Sequence, residues 1–349
     1  MISIRPTGEG DLAALGALFA ACFGHPMTAE EWRWKYRRLP GEGRSLVAVD
    51  GSGAVLAHGG ALCLPARWRG GEGGIWQLAD FMGTPAGGGL RPPLVELGRQ
   101  LLADLPRPAD APWIFGFPSE RHFRLGERVF GYRPLASFTP LAAALPERPP
   151  SAGESHPPSS ADRAGLMPPS NAACRLEISD SCGDWAPAIW ERCGVLGVRR
   201  SAAFFNWRYW ARPQRYYRFY RLIGDGEEGL AVFALVGAEA WAAELWLPAA
   251  GEWYAAMLAV AADLRASGLR LWRCWPPPFT APRAAAGANL AAGADPAGSD
   301  PVAALLRRLG LQPSGEARFV GCRCAATGAA GPIAAASGFY YAMGDYDLV

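Results

Sequence analysis

The sequence Trp-[Lys/Arg]-Tyr-x-x-x-Pro occurs twice in this chain of 349 residues, beginning at Trp34 and at Trp207. The two copies are therefore separated by about half of the chain. Each copy ends a short stretch rich in apolar and basic residues, and a strand, a turn and a second strand are expected directly after each. The sequence thus predicts one fold written twice, and a chain of this length is large enough for about two domains with separate cores.

Composition and charge narrow the class of protein. Apolar residues make up 50% of the chain and Trp is abundant, so we expect a globular protein. A formal net charge of +2 gives no sustained basic surface, so no nucleic-acid partner is expected. No apolar run reaches the length of a membrane span, and the first residues lack the apolar core of a secretion signal. We therefore expect a cytoplasmic protein with no membrane partner.

The cysteines predict neither a disulfide framework nor a metal site. The chain has eight Cys without a C-x-x-C pair, and Cys322 and Cys324 lie two apart in a predicted strand. Side chains at that spacing share one face and are too far apart for a relaxed disulfide. We expect reduced structural thiols and no metal cofactor.

Two segments divide the chain. Residues 146–173 are rich in Pro, Ser and Gly and nearly lack large apolar side chains, which predicts a flexible linker. Residues 276–300 have a similar composition and predict an insertion within the second half. The expected domains are therefore an N-terminal domain at 1–145 and a C-terminal domain at 174–349.

The first half predicts an α+β domain with a mixed, mostly antiparallel sheet. Asp11 is the expected N-cap of a first helix, and the turn at 50–53 is expected to join two strands because its glycines permit positive φ. A strand at 75–82 precedes a glycine loop and a helix over about 90–105, where leucines recur at helical spacing. The full predicted order is β-α-α-β-β-β-α-β-α-β.

Three stretches of this half resemble a known superfamily. They are Trp34-Lys35-Tyr36, the strand, loop and helix start at 77–90, and Gly116-Phe117-Pro118-Ser119-Glu120 before Phe130-Gly131-Tyr132. Together they resemble the GNAT superfamily of acyl-CoA-dependent N-acyltransferases, and specifically the branch in which a second, altered GNAT unit follows the first. The resemblance implies two tandem GNAT-like units, each with a mixed, mostly antiparallel sheet flanked by helices.

The resemblance also implies how an acyl-CoA substrate binds. The strand at 75–82 is expected to diverge from the strand at 113–116, which leaves backbone groups that need partners. In the family, the pantetheine arm of the thioester supplies those partners. The expected backbone contacts are Phe81, Met82 and Gly83, and an N–H group there would stabilise the oxyanion formed when an amine attacks the thioester.

The glycine loop predicts an anion site. Gly87, Gly88 and Gly89 let the backbone approach a phosphate, and Leu90 opens a helix whose N-terminal dipole favours negative charge. Arg91 adds a positive charge. The alternative is that the glycines form only a flexible connection between strand and helix. The second half has no such loop, and Glu252 would repel a phosphate, so we expect that half to serve as scaffold.

Candidates for acid–base chemistry are Asp80 on the cofactor strand, and Glu120 and His122 at the start of the following helix. Asp80 is equally well interpreted as a strand-end residue that bonds a neighbouring loop, and His122 as a surface residue. Resemblance to the enhanced-intracellular-survival acetyltransferases, whose C-terminal carboxylate reaches the first domain's site, adds Val349. A fraying acidic tail is the alternative there.

The predicted function is transfer of an acyl group, most simply acetyl from acetyl-CoA, to the primary amine of a small molecule or amino sugar. Two alternatives remain open. One is a non-catalytic binding or assembly protein with the GNAT fold, since Thr84 occupies the place of the family's Arg or Gln. The other is an aminoacyl-tRNA-dependent transferase of the Fem type, which shares the doubled fold.

Overall fold

The computed structural model describes residues 2–68, 71–84, 92–106, 113–145, 175–193, 196–224, 226–247, 253–275, 301–315, 318–324 and 339–340. Within these ranges no helix is both long enough and apolar enough to cross a membrane. The predicted linker at 146–173 and insertion at 276–300 lie outside the described residues.

The first half begins with a strand and two helices and continues as an alternation of strands and helices. The elements are β1 (Ser3–Pro6), α1 (Leu12–Phe23), α2 (Ala29–Arg37), β2 (Glu42–Val49), β3 (Val55–Trp68), β4 (Gly71–Gly83), α3 (Pro92–Asp104), β5 (Trp113–Gly116), α4 (Glu120–Phe130), β6 (Arg133–Phe138) and β7 (Leu141–Ala144). The predicted order is found through β6, and β7 is added to it.

The second half has a similar alternation and includes a π-helical turn at Asn206–Trp210 that carries the second copy of the motif. Its elements are β8 (Arg175–Ser179), α5 (Trp185–Cys193), β9 (Leu196–Val198), α6 (Ala202–Phe205), β10 (Tyr216–Gly224), β11 (Glu227–Val236), β12 (Glu239–Trp246), α7 (Tyr254–Ala266), β13 (Leu271–Cys274), α8 (Pro301–Arg308), β14 (Gln312–Pro313), β15 (Arg318–Cys324) and β16 (Phe339–Tyr340).

Unit 1 is compact and contains Met1–Phe138, Leu196–Gln214 and Ala317–Phe339. Its sheet has the strand order β1-β2-β3-β4-β5-β15-β6, and β9 pairs with β3 beside this path. Strands β4 and β5 run parallel, whereas the pairs β1–β2, β2–β3, β3–β4, β5–β15, β15–β6 and β3–β9 are antiparallel. Leu97, Leu101 and Leu105, from the predicted leucine stripe, are buried in the core on this sheet.

Unit 2 contains Thr139–Val195, Arg215–Glu316 and Tyr340–Val349. Its sheet has the order β14-β7-β13-β12-β11-β10-β8, and β12 and β13 are its parallel pair. Helix α7 covers the sheet with Met257, Val260 and Leu264, all of which are almost fully buried. Each sheet therefore has its own core.

The two sheets have the same plan once each is followed from its first strand. The order β1-β2-β3-β4-β5 of unit 1 corresponds to β8-β10-β11-β12-β13 of unit 2. The next position is occupied in unit 1 by β15, from the second half of the sequence, and in unit 2 by β7, from the first half. The predicted doubled α+β fold is confirmed, but strands are exchanged between the halves: β9 and β15 of the second half lie in the sheet of unit 1, and β7 of the first half lies in the sheet of unit 2.

Asp11 differs from its predicted role. Helix α1 starts at Leu12, and the Asp11 side chain makes no capping bond to it. Instead, the carboxylate accepts a hydrogen bond from the Gly8 backbone at 2.8 Å and forms an ion pair with Arg5 at 2.7 Å. Asp11 therefore holds the predicted N-cap position directly before Leu12, but its carboxylate bonds back to the preceding 3₁₀ turn and to Arg5, so it does not cap the N–H groups of α1.

Candidate functional site

The candidate site lies in unit 1, where β4 and β5 separate. These parallel strands are in register only at Gln77 with Phe115 and Leu78 with Gly116. Strand β5 ends at Gly116, whereas β4 continues to Gly83. Beyond Leu78, the edge of β4 that faces away from β3 thus has no partner on β5 among the described residues.

A β-bulge interrupts β4 just after this separation. Met82 is paired with His58 and Ala79 with Gly60, so Asp80 and Phe81 lie opposite the single residue Gly59. Such a bulge bends its strand and redirects the groups that follow. The bend is made by Asp80, whose φ of +52° lies in the left-handed region. For a residue other than glycine this conformation is uncommon and has to be held by its surroundings.

The Asp80 carboxylate is held by two residues of the first motif copy. Lys35 Nζ donates to Oδ1 at 2.7 Å, and the Tyr36 hydroxyl donates to Oδ2 at 2.7 Å. The side chains of Lys35 and Asp80 are only 4% and 5% exposed, so this is a buried ion pair. Lys35 and Tyr36 are neighbours on α2. This helix begins where Thr28 and Glu31 cap each other's backbone N–H groups.

Burial by itself would raise the pKa of the Asp80 carboxyl group. The Lys35 ammonium, the nearby His58 and the hydrogen bonds from Lys35 and Tyr36 outweigh burial and place that pKa below its ordinary value. Asp80 is therefore a carboxylate at neutral pH.

A glycine makes room for this arrangement. A Cβ atom at Gly60 would lie 2.2 Å from the Tyr36 hydroxyl oxygen and 2.5 Å from its ring carbons. The ring consequently lies directly over the β3 backbone, where only glycine allows the hydroxyl group to reach Asp80.

His58 holds the backbone of the same bend. Its Nδ1 lies 3.0 Å from the Asp80 carbonyl oxygen, and since a carbonyl only accepts, Nδ1 carries the proton. Its Nε2 lies 3.0 Å from Ser45 Oγ, which in turn lies 2.5 Å from the Thr7 hydroxyl. Burial lowers the pKa of His58. His58 is not among the residues predicted from the sequence, because a single histidine in a run of small residues gives no periodic signal.

The predicted cofactor contacts occupy the end of β4. Phe81 packs its ring edge to face against Phe130 with the centroids 6.3 Å apart, and the Met82 side chain is buried. The Gly83 carbonyl accepts a weak bond from Cys22 Sγ at 3.4 Å. The side chains of Phe81 and Met82 are therefore packed within the protein. Any ligand contact at residues 81–83 would be made through backbone groups.

Helix α4 follows β5 after three residues and brings its first turn to the end of the diverging pair. Ser119 caps the helix by accepting from the His122 backbone at 3.4 Å. The Glu120 side chain is 66% exposed and pairs with Arg124 at 3.8 Å. His122 is partly buried, and burial, together with the charge of Arg121, lowers its pKa. A neutral His122 imidazole can accept a proton at neutral pH.

The remaining predicted site residues lie outside the described part of the chain. These are Gly87, Gly88, Gly89, Leu90, Arg91 and Val349. Helix α3, which was predicted from about residue 90, is described from Pro92. Within the described ranges, no group of three or more His, Cys, Asp or Glu side chains is placed to hold a metal ion.

No family model matches the chain, and no curated protein matches it. The chain is, however, similar to several solved structures. The chain is similar to a tandem GNAT protein from the clavulanic acid biosynthesis pathway, with a TM-score of 0.57 at 13% identity over 94% of this chain and 100% of that one. It is similar to a probable N-acyltransferase from Enterococcus faecalis, with a TM-score of 0.58 at 12% identity over 93% of this chain and 73% of that one. A GCN5-related N-acetyltransferase from Anabaena variabilis gives 0.57 at 13% identity, with 93% and 73% covered.

These similarities define the class of fold. The chain has the tandem GNAT fold, in which two α+β units follow each other, and the expectation from the sequence is confirmed at this level. Sequence identity this low carries the fold but not the substrate.

Proposed function

We propose that this protein transfers an acyl group, most simply acetyl, from acyl-CoA directly to the primary amine of a small molecule or amino sugar. One observation supports the proposal: β4 pairs with β5 only at Gln77 and Leu78 and then bends at Asp80, so beyond Leu78 the edge of β4 that faces away from β3 has no partner on β5 among the described residues. Buried backbone groups need partners, and the amide-bearing arm of an acyl-CoA matches them.

The proposed substrate position follows from this edge of β4. The pantetheine arm lies along the backbone of Phe81, Met82 and Gly83, and the diphosphate faces Gly87, Gly88, Gly89, Leu90 and Arg91 before α3. A helix N-terminus with small residues before it suits a phosphate group.

The reaction then needs few protein groups. The amine nitrogen attacks the thioester carbonyl carbon, a strand N–H stabilises the oxyanion, and the carbon–sulfur bond breaks. The nitrogen loses one proton, and the departing thiolate takes up one. We propose His122 as the proton acceptor, directly or through water, because its lowered pKa keeps it neutral. Glu120 is the further candidate on the same helix turn.

The test is thermal unfolding with acetyl-CoA, longer acyl-CoAs and free CoA. A ligand that binds only the native state raises stability by about 2.7 kcal/mol at one hundred times its Kd. We expect a clear rise in the unfolding temperature with acetyl-CoA, and then release of free thiol when a panel of primary amines is added. Absence of any shift at millimolar acetyl-CoA would contradict the proposal and favour a non-catalytic protein.

A further inference from the structure

The bend in β4 depends on a residue that is not glycine. Asp80 adopts a φ of +52° and is bonded at three points, by Lys35 and Tyr36 at its carboxylate and by His58 at its carbonyl. A strained backbone persists where neighbouring groups determine it more than once, and such sites cluster where function requires them. The three contacts explain how this conformation of Asp80 is maintained.

We propose that Asp80 is a positioning residue: its carboxylate, clamped by Lys35 and Tyr36, fixes the bend that orients the backbone of Phe81, Met82 and Gly83 along the edge of β4 beyond its pairing with β5. This inference rests on the proposed function and assigns a task to two residues of the first motif copy. It also departs from the prediction that Asp80 takes the proton of the amine.

The geometry argues against proton transfer to Asp80. A general base has to come within hydrogen-bond reach of the proton that it removes. Each carboxylate oxygen of Asp80 already accepts a bond at 2.7 Å, and its side chain is 5% exposed. A carboxylate paired with a buried ammonium group is also a weak base, in agreement with the lowered pKa of Asp80.

The same geometry explains how the clamp acts on the strand. Lys35 and Tyr36 are neighbours in α2, so one helix holds both oxygens and fixes the orientation of the carboxylate. His58, on β3, holds the carbonyl of the same residue from the partner strand. Side chain and carbonyl are thus fixed from two elements, and the dihedral angles between them have little freedom.

A matched pair of double variants tests this. Lys35→Met with Asp80→Gly and Lys35→Met with Asp80→Ala both lack the ion pair and any carboxylate at this position. They differ in that glycine adopts positive φ readily and alanine does not. Acetyl-CoA affinity is measured by calorimetry on the full chain, with thermal unfolding as a check of folding.

We expect the alanine variant to bind acetyl-CoA about tenfold more weakly than the glycine variant, the ratio that corresponds to the cost of a left-handed non-glycine residue. Equal affinities in two folded variants would overturn the inference while leaving the proposed function intact. If the unmodified chain does not bind acetyl-CoA, the proposed function and the inference fail together.

A measurement on the unmodified chain covers the case in which a variant does not fold. Amide hydrogen exchange at Phe81, Met82 and Gly83 is compared with and without saturating acetyl-CoA. The inference requires at least one of these amides to exchange more slowly when acetyl-CoA is bound. Unchanged exchange at all three, with binding established, would overturn it.

Discussion

Trp34 and Trp207 bond each other reciprocally through the same atoms. The indole N–H of Trp34 donates to the Trp207 carbonyl at 2.6 Å, and that of Trp207 donates to the Trp34 carbonyl at 2.9 Å. Their rings are stacked with centroids 5.2 Å apart. The residues begin the two copies of the motif, so the internal repeat of the sequence meets itself inside unit 1, as in a self-complementary contact.

This exchange should contribute measurably to stability. Replacing either residue by Phe, as in Trp34→Phe or Trp207→Phe, keeps an aromatic ring but removes one indole N–H donor. The buried carbonyl group of the other residue then loses that hydrogen bond. We expect each change to lower the free energy of unfolding by about 1–3 kcal/mol in urea denaturation. Trp210→Phe is the matched control, since Trp210 is 67% exposed and should change stability by about 0.5 kcal/mol or less. Equal losses at all three positions would contradict the assignment.

The exchanged strands predict that the first half does not fold alone. A fragment of residues 1–145 lacks β15, which lies between β5 and β6 in the sheet of unit 1. Both strands would then present unpaired backbone groups at open edges. We expect this fragment to lack a cooperative unfolding transition, and coexpression with residues 146–349 to restore one. Cooperative unfolding of the isolated fragment would show that β15 is dispensable.

Gly60 should tolerate no side chain. Gly60→Ala places a methyl group 2.2 Å from the Tyr36 hydroxyl oxygen, so the ring has to move away from Asp80. We expect a loss of about 1–3 kcal/mol in the free energy of unfolding, as for other overpacked sites, and weaker binding of acetyl-CoA. Gly10→Ala is the control, because a Cβ atom there meets nothing within 4 Å. The same small effect for both variants would show that the Tyr36 ring does not depend on a glycine at position 60.

Stability should fall on mild acidification. The folded-state pKa values of His58 and His122 are lowered by burial, so below about pH 6.5 the unfolded chain binds protons that the native chain does not. Each histidine then lowers the free energy of unfolding by up to about 1.4 kcal/mol per pH unit until its folded-state pKa is reached. The lowered pKa of Asp80 acts only below about pH 4.

The contributions of His58 and His122 to the pH dependence of stability can be separated with a variant that lacks His122. His122→Gln should keep the part of the slope that comes from His58, measured by urea unfolding between about pH 5 and 8. A flat profile for that variant over this window would mean that His58 binds its proton equally well in the folded and the unfolded chain, which would contradict a lowered folded-state pKa.

The sequence predicted those parts of the fold that local patterns determine. The leucine spacing of α3, the turn after β2 and the repeated motif each act within a few residues, and the predicted order of elements through β6 followed from them. The exchange of β7 and β15 was not predictable, because β7 is a strand of only four residues, one Leu and three Ala, and pairs with partners far away in sequence.

The candidate site was likewise predictable only in part. The position of β4 and its loop could be inferred from strand and glycine patterns, and Asp80 was singled out on the correct strand. Its partners could not be inferred. Lys35 is 45 residues away from Asp80, and His58 is 22 residues away, so only the folded sheet brings them together.

A crystal structure of this chain with CoA bound would test the proposed binding mode most directly. We expect the pantetheine arm to lie along the edge of β4 beyond Leu78 and to be hydrogen-bonded to the backbone of residues 81–83. CoA bound at another place, with the backbone of residues 81–83 making no contact to it, would contradict the proposal.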